Sequence, residues 1–227
     1  MAASLKKKTI KTVGVFCSSR IPSDPAQVQA AYDVGAEIGK RGWALSYGGG
    51  KSGLMGVVAQ SVLDNGGQVF GVITKAFKES AGYAPLVGSS EKVVTHLHTR
   101  KAGIIRRADA FITLAGGIGT LDEKWEVAAL NDMLIAARSP EHLKPMIVMN
   151  INGLYEEEKT LMRKLIGQGL IHPGREKMIR SADSVTEAFT KLDKWSEEGI
   201  MRGIDLAPAI IEPSVHAANA AQLKLKP

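Results

Sequence analysis

The chain has 227 residues, of which 44% are hydrophobic and 5% aromatic, so it can bury one sizeable, mostly aliphatic core. Its net charge is +6, but no basic stripe with interleaved aromatic residues is present, which argues against a nucleic-acid-binding protein. No run approaches the ~18 apolar residues of a membrane span, and no long apolar segment follows the basic start as it does in a secretory signal. Cys17 is the only cysteine, so no intrachain disulfide can form. We therefore expect a cytoplasmic enzyme without membrane or nucleic-acid partners.

Apolar runs and helical patterns alternate along most of the chain. The predicted strands are Thr12–Cys17, Trp43–Tyr47, Gln68–Ile73, Val93–His96, Ala110–Leu114 and Pro145–Asn150. The predicted helices are Ala26–Arg41, Leu54–Asn65, Thr99–Ala108, a helix that follows Thr120 and ends near Ala137, Tyr155–Gln168 and Val185–Glu198. The stretch Thr74–Glu91 is predicted to be irregular.

Continuous apolar strands between helices are typical of a parallel sheet that is covered on both faces. The sequence therefore predicts an α/β protein with a Rossmann-like, doubly wound parallel sheet and helices on both faces. Residues 1–200 are predicted to form a single nucleotide-binding catalytic domain. Residues 201–227 lose periodicity and are predicted to be an irregular or partner-draping extension.

The most informative segment is a glycine-rich turn between a strand and a helix. Gly116, Gly117 and Gly119 follow the apolar strand, and Thr120 and Glu123 come next. Glycines let the backbone approach an anion closely, and the free N–H groups and dipole of a helix start favour a phosphate. Thr120 adds a hydroxyl, and Glu123 lies within about one helical turn of the expected phosphate. A carboxylate at this distance indicates chemistry on a phosphorylated ligand, and the helix start is expected to favour its anionic form.

Two other loops follow predicted strands at the same edge of the sheet. The segment GGGKSGLMG, residues 48–56, lacks the first glycine of a nucleoside-triphosphate loop, because Leu45 occupies that position. It is interpreted either as a tight turn or as a turn that also contacts a ligand. The segment CSSR, residues 17–20, replaces the dinucleotide fingerprint GxGxxG; its serines either cap a turn or bind a phosphate or sugar. Cys17 is interpreted as a buried small hydrophobe rather than a nucleophile.

Charged side chains also occur near the expected anion site. Arg100 and Lys101 open the helix before the glycine turn, and they are either a solvated pair or ligands of the anion. Glu126 follows Glu123 by one helical turn and is a candidate for a structural salt bridge. His96 and His98 have strand spacing, but no third ligand follows at metal spacing, so we expect no metal.

Four segments resemble one known family. YGGGKSGLMG is similar to its YGGGxxGLMG, HLHTRK to its MHxRK with Leu97 in place of methionine, AGGIGTLDE to its PGGxGTxxE, and FCSS to its FCGSS. On these motifs the chain resembles the Lonely Guy (LOG) family of cytokinin riboside 5'-monophosphate phosphoribohydrolases, which are often labelled lysine decarboxylases in error. The resemblance covers roughly residues 11–171.

The resemblance implies hydrolysis of the N-glycosidic bond of N6-substituted AMP to a free base and ribose 5-phosphate, without a cofactor. It places the family's catalytic arginine and glutamate on Arg100 and Glu123. The contacts to substrate and phosphate are expected at Glu79, Lys101, Gly116, Gly117, Ile118, Gly119, Thr120, Leu121 and Asp122. It also implies a homodimer, with some members forming hexamers, and a site near the subunit interface.

The expected chemistry leaves the detailed roles open. A carboxylate beside the ribose stabilises the positive charge that develops when the base departs, and Glu123 could also bind sugar hydroxyls or orient water. Arg100 could hold the phosphate or assist departure of the base. Two residues depart from the family pattern: Ala115 replaces a proline, which costs ~0.5–1 kcal/mol in turn rigidity, and Ser18 replaces a glycine.

Two other functions compete with nucleotide hydrolysis and can be tested against it. The departures at Ala115 and Ser18 motivate a non-catalytic, Rossmann-like nucleotide-binding or sensor protein. An amino-acid decarboxylase would carry pyridoxal phosphate on a lysine, but nothing in the sequence around Lys51 or Lys101 supplies the expected partners.

Overall fold

The computed structural model describes residues 9–137, 139 and 142–198. The strands in these residues are β1 (Thr12–Phe16), β2 (Ala44–Tyr47), β3 (Gln68–Thr74), β4 (Ser90–Val94), β5 (Ala110–Thr113), β6 (Met146–Met149) and β7 (Ile179–Ala182). The α-helices are α1 (Pro25–Lys40), α2 (Gly53–Asp64), α3 (Lys75–Lys78), α4 (Leu97–Arg107), α5 (Ile118–Ala136), α6 (Glu156–Gly167) and α7 (Val185–Glu198). Short 3-10 helices lie at Ile151–Gly153 and Arg175–Met178.

The strands form one parallel sheet in the order β4-β3-β2-β1-β5-β6-β7. The chain winds outward from β1 to one edge, returns to β5 beside β1, and then winds to the other edge. This confirms the predicted doubly wound sheet. The register pairs Val13 of β1 with Ala110 of β5. The strand order reverses between these two neighbouring strands, so the loops that follow them diverge at this point. Ligands bind open α/β sheets at this crevice.

Helices cover both faces of the sheet, as predicted. On one face the apolar side chains of α1, α2 and α7 pack on the strands, for example Val34, Leu54 and Phe189. On the other face α4 and α5 contribute Ile104 and Val127 to a second core cluster. The aliphatic composition explains both layers, because branched side chains from continuous apolar strands fill the space beneath each helix.

Local sequence signals explain where the helices begin and end. Asp24 caps α1, since its carboxylate accepts a hydrogen bond from the backbone N–H of Ala26 at 2.9 Å, and Pro25 occupies the first helical position. Helix α2 ends at Asp64, and Gly66 then adopts a φ of 82°, as the predicted stop at two glycines requires.

The structure differs from the sequence prediction mainly in two short elements. Strand β7 was missed because its four residues, IRSA, form a partly exposed edge without an apolar run. Helix α3 was missed because it spans one turn inside the stretch predicted to be irregular. Strand β4 lies about three residues earlier than predicted, because its largely exposed, polar start carries no strand signal.

No helix of the part of the chain that the structure describes is long and apolar enough to cross a membrane. The single domain over residues 1–200 stays a prediction, and the predicted extension over residues 201–227 lies outside the described residues.

Candidate active site

A cleft of about 570 Å³ opens at the carboxyl ends of the strands, where the strand order reverses. Its size is typical of a pocket for a small organic ligand. The loops after β1, β2, β3 and β5 and the start of α4 line it, with side chains or backbone from residues 17–20, Gly48, Met55, Thr74, Phe77, Leu97, Arg100, Gly117–Thr120 and Glu123. The structure therefore brings together the loops that the sequence placed at one sheet edge.

The glycine turn forms one wall of the cleft. Helix α5 begins at Ile118, and Gly117 caps it without a side-chain hydrogen bond, so the first N–H groups of the helix are open to a ligand. A Cβ at Gly116 would overlap the side chain of Thr120, whereas no described atom lies within 4 Å of a Cβ built at Gly117 or Gly119. Gly116 is thus needed for packing, and Gly117 and Gly119 leave room for a close approach to the backbone.

Arg100 and Glu123 form an ion pair at the base of the cleft. Arg100 Nη1 donates to Glu123 Oε1 at 2.8 Å, and the two side chains are 17% and 12% exposed. The same guanidinium donates from Nη2 to the carbonyl oxygen of Gly48 and from Nε to that of Val72, both at 3.0 Å. These bonds to the residue after β2, to β3 and to α5 fix both the arginine and the carboxylate in one orientation.

Burial dominates the electrostatics of Glu123. Desolvation raises the pKa of the Glu123 carboxyl above its ordinary value, and the charge and hydrogen bond of Arg100 act in the opposite direction. Arg100 is the main group that lowers the pKa of this carboxyl against its desolvation. The expectation that the helix start favours the anion stays a prediction.

Gly48 has a specific role beside the ion pair. A Cβ at this position would overlap Arg100 Nη2, which donates to the Gly48 carbonyl. In the same segment, Gly49, Gly50 and Gly53 have φ values of 83°, 74° and 58°, so they are required by the turn itself. The GGGKSG segment is therefore a tight turn, and Gly48 lines the cleft. Its contact with a ligand stays a prediction.

Gly48→Ala is expected to lower kcat about tenfold to a hundredfold while the unfolding temperature changes little. The new methyl group displaces the flexible end of Arg100 rather than backbone, so misplacement of the guanidinium is the main consequence. Steady-state assays and thermal melts of the variant measure both effects. Gly82→Ala is the matched control, since a Cβ there meets no described atom within 4 Å. Wild-type activity in Gly48→Ala would contradict the assigned role of the Arg100 orientation.

Lys101 is not among the residues that line the cleft. Its ammonium contacts Asp122 Oδ2 at 2.9 Å and Glu126 Oε2 at 2.6 Å. The hydrogen bond to Glu126 is the largest of the effects that raise the pKa of Lys101, so the ammonium stays protonated. The interpretation of Glu126 as a structural salt-bridge partner is confirmed. A direct contact of Lys101 or Asp122 with substrate stays a prediction.

Glu79 and Leu121 are also placed outside the cleft lining. Glu79 follows α3, its side chain is 64% exposed, and it lies 3.8 Å from Lys75. Leu121 lies in the first turn of α5, where its N–H bonds to the Gly117 carbonyl at 3.0 Å. Their predicted substrate contacts remain untested, and neither is in the group that the fold brings together around Arg100 and Glu123.

The CSSR loop closes the cleft on the side of β1. Its Ser18 N–H donates to the Ala115 carbonyl at 2.9 Å, which ties this loop to the glycine turn. The Ser18 hydroxyl accepts from the backbone N–H of Arg20, so it caps the turn as well as lining the cleft. Cys17 is buried, and desolvation followed by the charge of Glu123 raises the pKa of its thiol, which agrees with a packing role.

His96 and His98 flank the start of α4 with their rings stacked at 5.9 Å between centroids. Among residues 9–137, 139 and 142–198, no group of three or more histidine, cysteine, aspartate or glutamate residues is placed to hold a metal ion.

Sequence reasoning missed the apolar part of the cleft. Phe77 and Leu97 are 54% and 56% exposed, and Met55 lies beside them in the lining. Phe77 belongs to the stretch that was predicted to be irregular, and only the folded sheet shows that it reaches the same cleft as Leu97. The sequence feature that could have indicated this apolar part of the cleft was the presence of large apolar residues in loops at the carboxyl edge of the sheet.

Comparison with known proteins gives consistent results. Residues 55–192 match the family model described as possible lysine decarboxylase. The chain is 36% identical over 192 residues to a cytokinin riboside 5'-monophosphate phosphoribohydrolase of Arabidopsis thaliana, covering 85% of each protein. It is 37% identical over 183 residues to a probable enzyme of the same name from Oryza sativa subsp. japonica, covering 81% of this chain and 76% of that protein.

Among solved structures, the Moco carrier protein from Chlamydomonas reinhardtii has a similar fold, with a TM-score of 0.58 and 17% identity over 84% of this chain and 99% of that chain. The family model and the relatives with over a third of their residues identical, together with the motifs around Arg100 and Glu123, show that the chain belongs to the LOG family.

Proposed function

We propose that the protein hydrolyses the N-glycosidic bond of cytokinin riboside 5'-monophosphates, which are N6-substituted AMP derivatives. The observation that carries this proposal is the buried Arg100–Glu123 ion pair in one cleft with an open helix start at the glycine turn. The names of the curated relatives support the same reaction.

The proposed reaction breaks the bond between C1' of the ribose and the base nitrogen. The electron pair of that bond leaves with the base, positive charge develops on the sugar, and a water molecule then adds to C1'. The water loses one proton as it adds to C1', and the departing base takes up one proton, directly or through solvent, so the products are the free base and ribose 5-phosphate. The Glu123 carboxylate stabilises the cationic sugar, as carboxylates do in glycoside hydrolysis.

The backbone N–H groups at the start of α5 are proposed to bind the 5'-phosphate. Gly117, Ile118, Gly119 and Thr120 line the cleft within two helical turns of Glu123. A phosphate at this position leaves the attached ribose beside the Glu123 carboxylate. The phosphate is thus needed to place the sugar correctly. No bond to the phosphorus is broken or formed.

Arg100 is proposed to affect the ionisation of Glu123 and also to contact the ligand from a fixed position. It lowers the pKa of Glu123 against the desolvation of the site, and the guanidinium carries more N–H donors than its three protein partners use. The remaining donors can face the ligand in the cleft. The fixed orientation favours a role beside the reacting sugar and base over a flexible grip on the phosphate.

The apolar wall of the cleft supports a substrate with an apolar substituent on its base. Met55, Phe77 and Leu97 offer hydrophobic surface, and the glycine turn offers backbone N–H groups in the lining of the same cleft. An N6-substituted purine nucleotide has this same division between an apolar end and an anionic end. Burial of such a substituent contributes roughly 25 cal/mol for each Å² of apolar surface removed from water.

The contacts of Lys101 do not favour a decarboxylase. A lysine that forms an imine with pyridoxal phosphate must lose its proton, whereas the Glu126 and Asp122 carboxylates raise the pKa of Lys101. Lys51 is exposed on the turn before α2 and does not line the cleft.

Product analysis with isopentenyl-AMP, AMP and isopentenyladenosine tests the proposed function. We expect release of the free base and ribose 5-phosphate from isopentenyl-AMP and rejection of the nucleoside, because the nucleoside lacks the group that the glycine turn binds. Chromatography of the reaction mixtures separates base, nucleoside and nucleotide. Measurable nucleotide affinity without base release from either nucleotide would instead support a binding or sensor protein.

The proposed enzyme is also inferred to be a homodimer located in the cytoplasm. The exposed apolar residues at the cleft mouth and the family resemblance support assembly of two subunits near the site. The buried free thiol of Cys17 is typical of a reducing compartment such as the cytoplasm. Light scattering of the full chain measures the oligomeric state.

A further inference from the structure

Tyr155 lies directly behind the glycine turn, outside every motif that the sequence singled out. It is 7% exposed and precedes α6 at the end of the loop that follows β6. Its hydroxyl donates to the carbonyl oxygen of Leu114 at 2.7 Å. Leu114 is the last residue before Ala115 and the glycines, so this bond acts on the backbone that enters the turn.

The hydroxyl of Tyr155 keeps its proton. Burial, followed by the charge of Glu158, raises the pKa of this hydroxyl, and the nearby Gly116 backbone acts in the opposite direction. The hydroxyl therefore remains a donor to the Leu114 carbonyl. Leu114 directly precedes Ala115, where the family motif has a proline.

The position of Tyr155 is itself fixed by buried polar contacts. Its backbone N–H donates to Asn150 Oδ1 at 2.8 Å, and Asn150 is 5% exposed at the carboxyl end of β6. On the other side, the ammonium of Lys124 lies 4.8 Å from the centroid of the tyrosine ring and is paired with Glu158. Lys124 is fully buried and directly follows Glu123 in α5.

We propose that Tyr155 is a positioning residue for the phosphate turn, because its hydroxyl bridges the loop after β6 to the backbone that enters the turn, and the ammonium of Lys124, on the helix that carries Glu123, lies beside its ring. This inference rests on the proposed function of the turn as the phosphate site. A proline before the glycines would restrict the backbone covalently. Here a hydrogen-bonded tyrosine from the loop after β6 holds an unrestricted alanine in place.

The bridge affects phosphate binding more than the chemical step. A turn held in one conformation presents its N–H groups without a loss of backbone entropy when the ligand binds. The phosphate is bound equally in the substrate and the transition state, so loss of the bridge raises KM with little change in kcat.

Tyr155→Phe in the full chain tests the inference, because it removes the hydroxyl and keeps the ring. We expect the affinity for ribose 5-phosphate, measured by titration calorimetry, to fall about fivefold to tenfold, as for loss of one buried hydrogen bond. The KM for isopentenyl-AMP should rise by a similar factor, with kcat within about twofold of wild type. Inorganic phosphate serves as a second probe of the turn.

Tyr47→Phe is the matched control. The Tyr47 hydroxyl donates to the Gly50 carbonyl at 2.8 Å, and the residue is 1% exposed, so the variant loses a comparable buried bond in a different glycine turn. We expect Tyr47→Phe to lower the unfolding temperature but to leave the affinity for ribose 5-phosphate unchanged. Unchanged affinity in Tyr155→Phe, or an equal loss in both variants, overturns the positioning role.

The outcomes separate this inference from the proposed function. If the wild-type protein releases base but Tyr155→Phe binds ribose 5-phosphate normally, the positioning role fails and the enzyme assignment stands. If the wild-type protein cleaves no nucleotide but the phosphate affinity depends on the Tyr155 hydroxyl, the enzyme assignment fails and the positioning role stands.

Discussion

Glu123→Ala is expected to abolish measurable turnover of isopentenyl-AMP while nucleotide binding persists. The carboxylate is the group closest to the proposed position of the sugar, and it is 12% exposed, so water screens its charge poorly. Loss of one such electrostatic contact raises the barrier by ~3 kcal/mol, which lowers the rate about a hundredfold or more. Single-turnover assays with excess enzyme measure kcat, and calorimetry with AMP measures binding.

Glu123→Gln and Glu126→Gln make this test specific. The glutamine at position 123 keeps the shape of the side chain but not its charge, so it should lose nearly as much activity as alanine. Glu126 lies one helical turn further along α5, pairs with Lys101 and does not line the cleft, so its replacement tests the loss of a nearby carboxylate. Intact turnover in Glu123→Ala would overturn the assignment of the catalytic carboxylate.

Arg100→Gln is expected to lower kcat/KM about a hundredfold or more and to move the acid limb of the pH profile to higher pH. Turnover requires the Glu123 carboxylate, so activity falls as the pH drops through the pKa of that group. Desolvation raises this pKa, and Arg100 lowers it. Removal of the arginine therefore leaves a larger fraction of Glu123 protonated at neutral pH. The dependence of kcat/KM on pH measures both effects.

Arg100→Lys separates charge from geometry. A lysine retains a cation beside Glu123, so the acid limb should stay closer to that of wild type. One ammonium cannot span the Gly48 carbonyl, the Val72 carbonyl and the Glu123 carboxylate as the guanidinium does, so activity should remain low. Arg106→Gln, at the exposed end of the same helix, serves as the control. An acid limb that stays in place in Arg100→Gln would show that Arg100 does not control the ionisation of Glu123.

Much of the fold followed from sequence patterns that have a local physical cause. Continuous apolar runs indicated buried parallel strands, and caps such as Asp24 and the glycines at 66 and 67 placed helix ends within a residue or two. The same reasoning placed the glycine turn, Arg100 and Glu123 at one edge of the sheet, because the loops after parallel strands share that edge. The elements that escaped prediction, α3 and β7, span only four residues each and lack a periodic apolar pattern.

The details of the site depended on distances between residues far apart in the chain. The sequence could name Arg100 and Glu123, but it could not show that burial raises the pKa of Glu123 or that Gly48 leaves space for the guanidinium. It also placed Lys101 among the candidate anion ligands, whereas the folded chain pairs its ammonium with Asp122 and Glu126.

The sequence by itself determined the doubly wound sheet and the glycine turn proposed to bind an anion, because periodicity and glycine spacing act through neighbouring residues. Only the tertiary structure decided how strongly the site is desolvated and what holds it rigid. Desolvation depends on every element packed around Glu123, and Tyr155 reaches the glycine turn from a loop 41 residues beyond Leu114. Such effects arise from the packing of distant segments, for which one sequence carries no local signal.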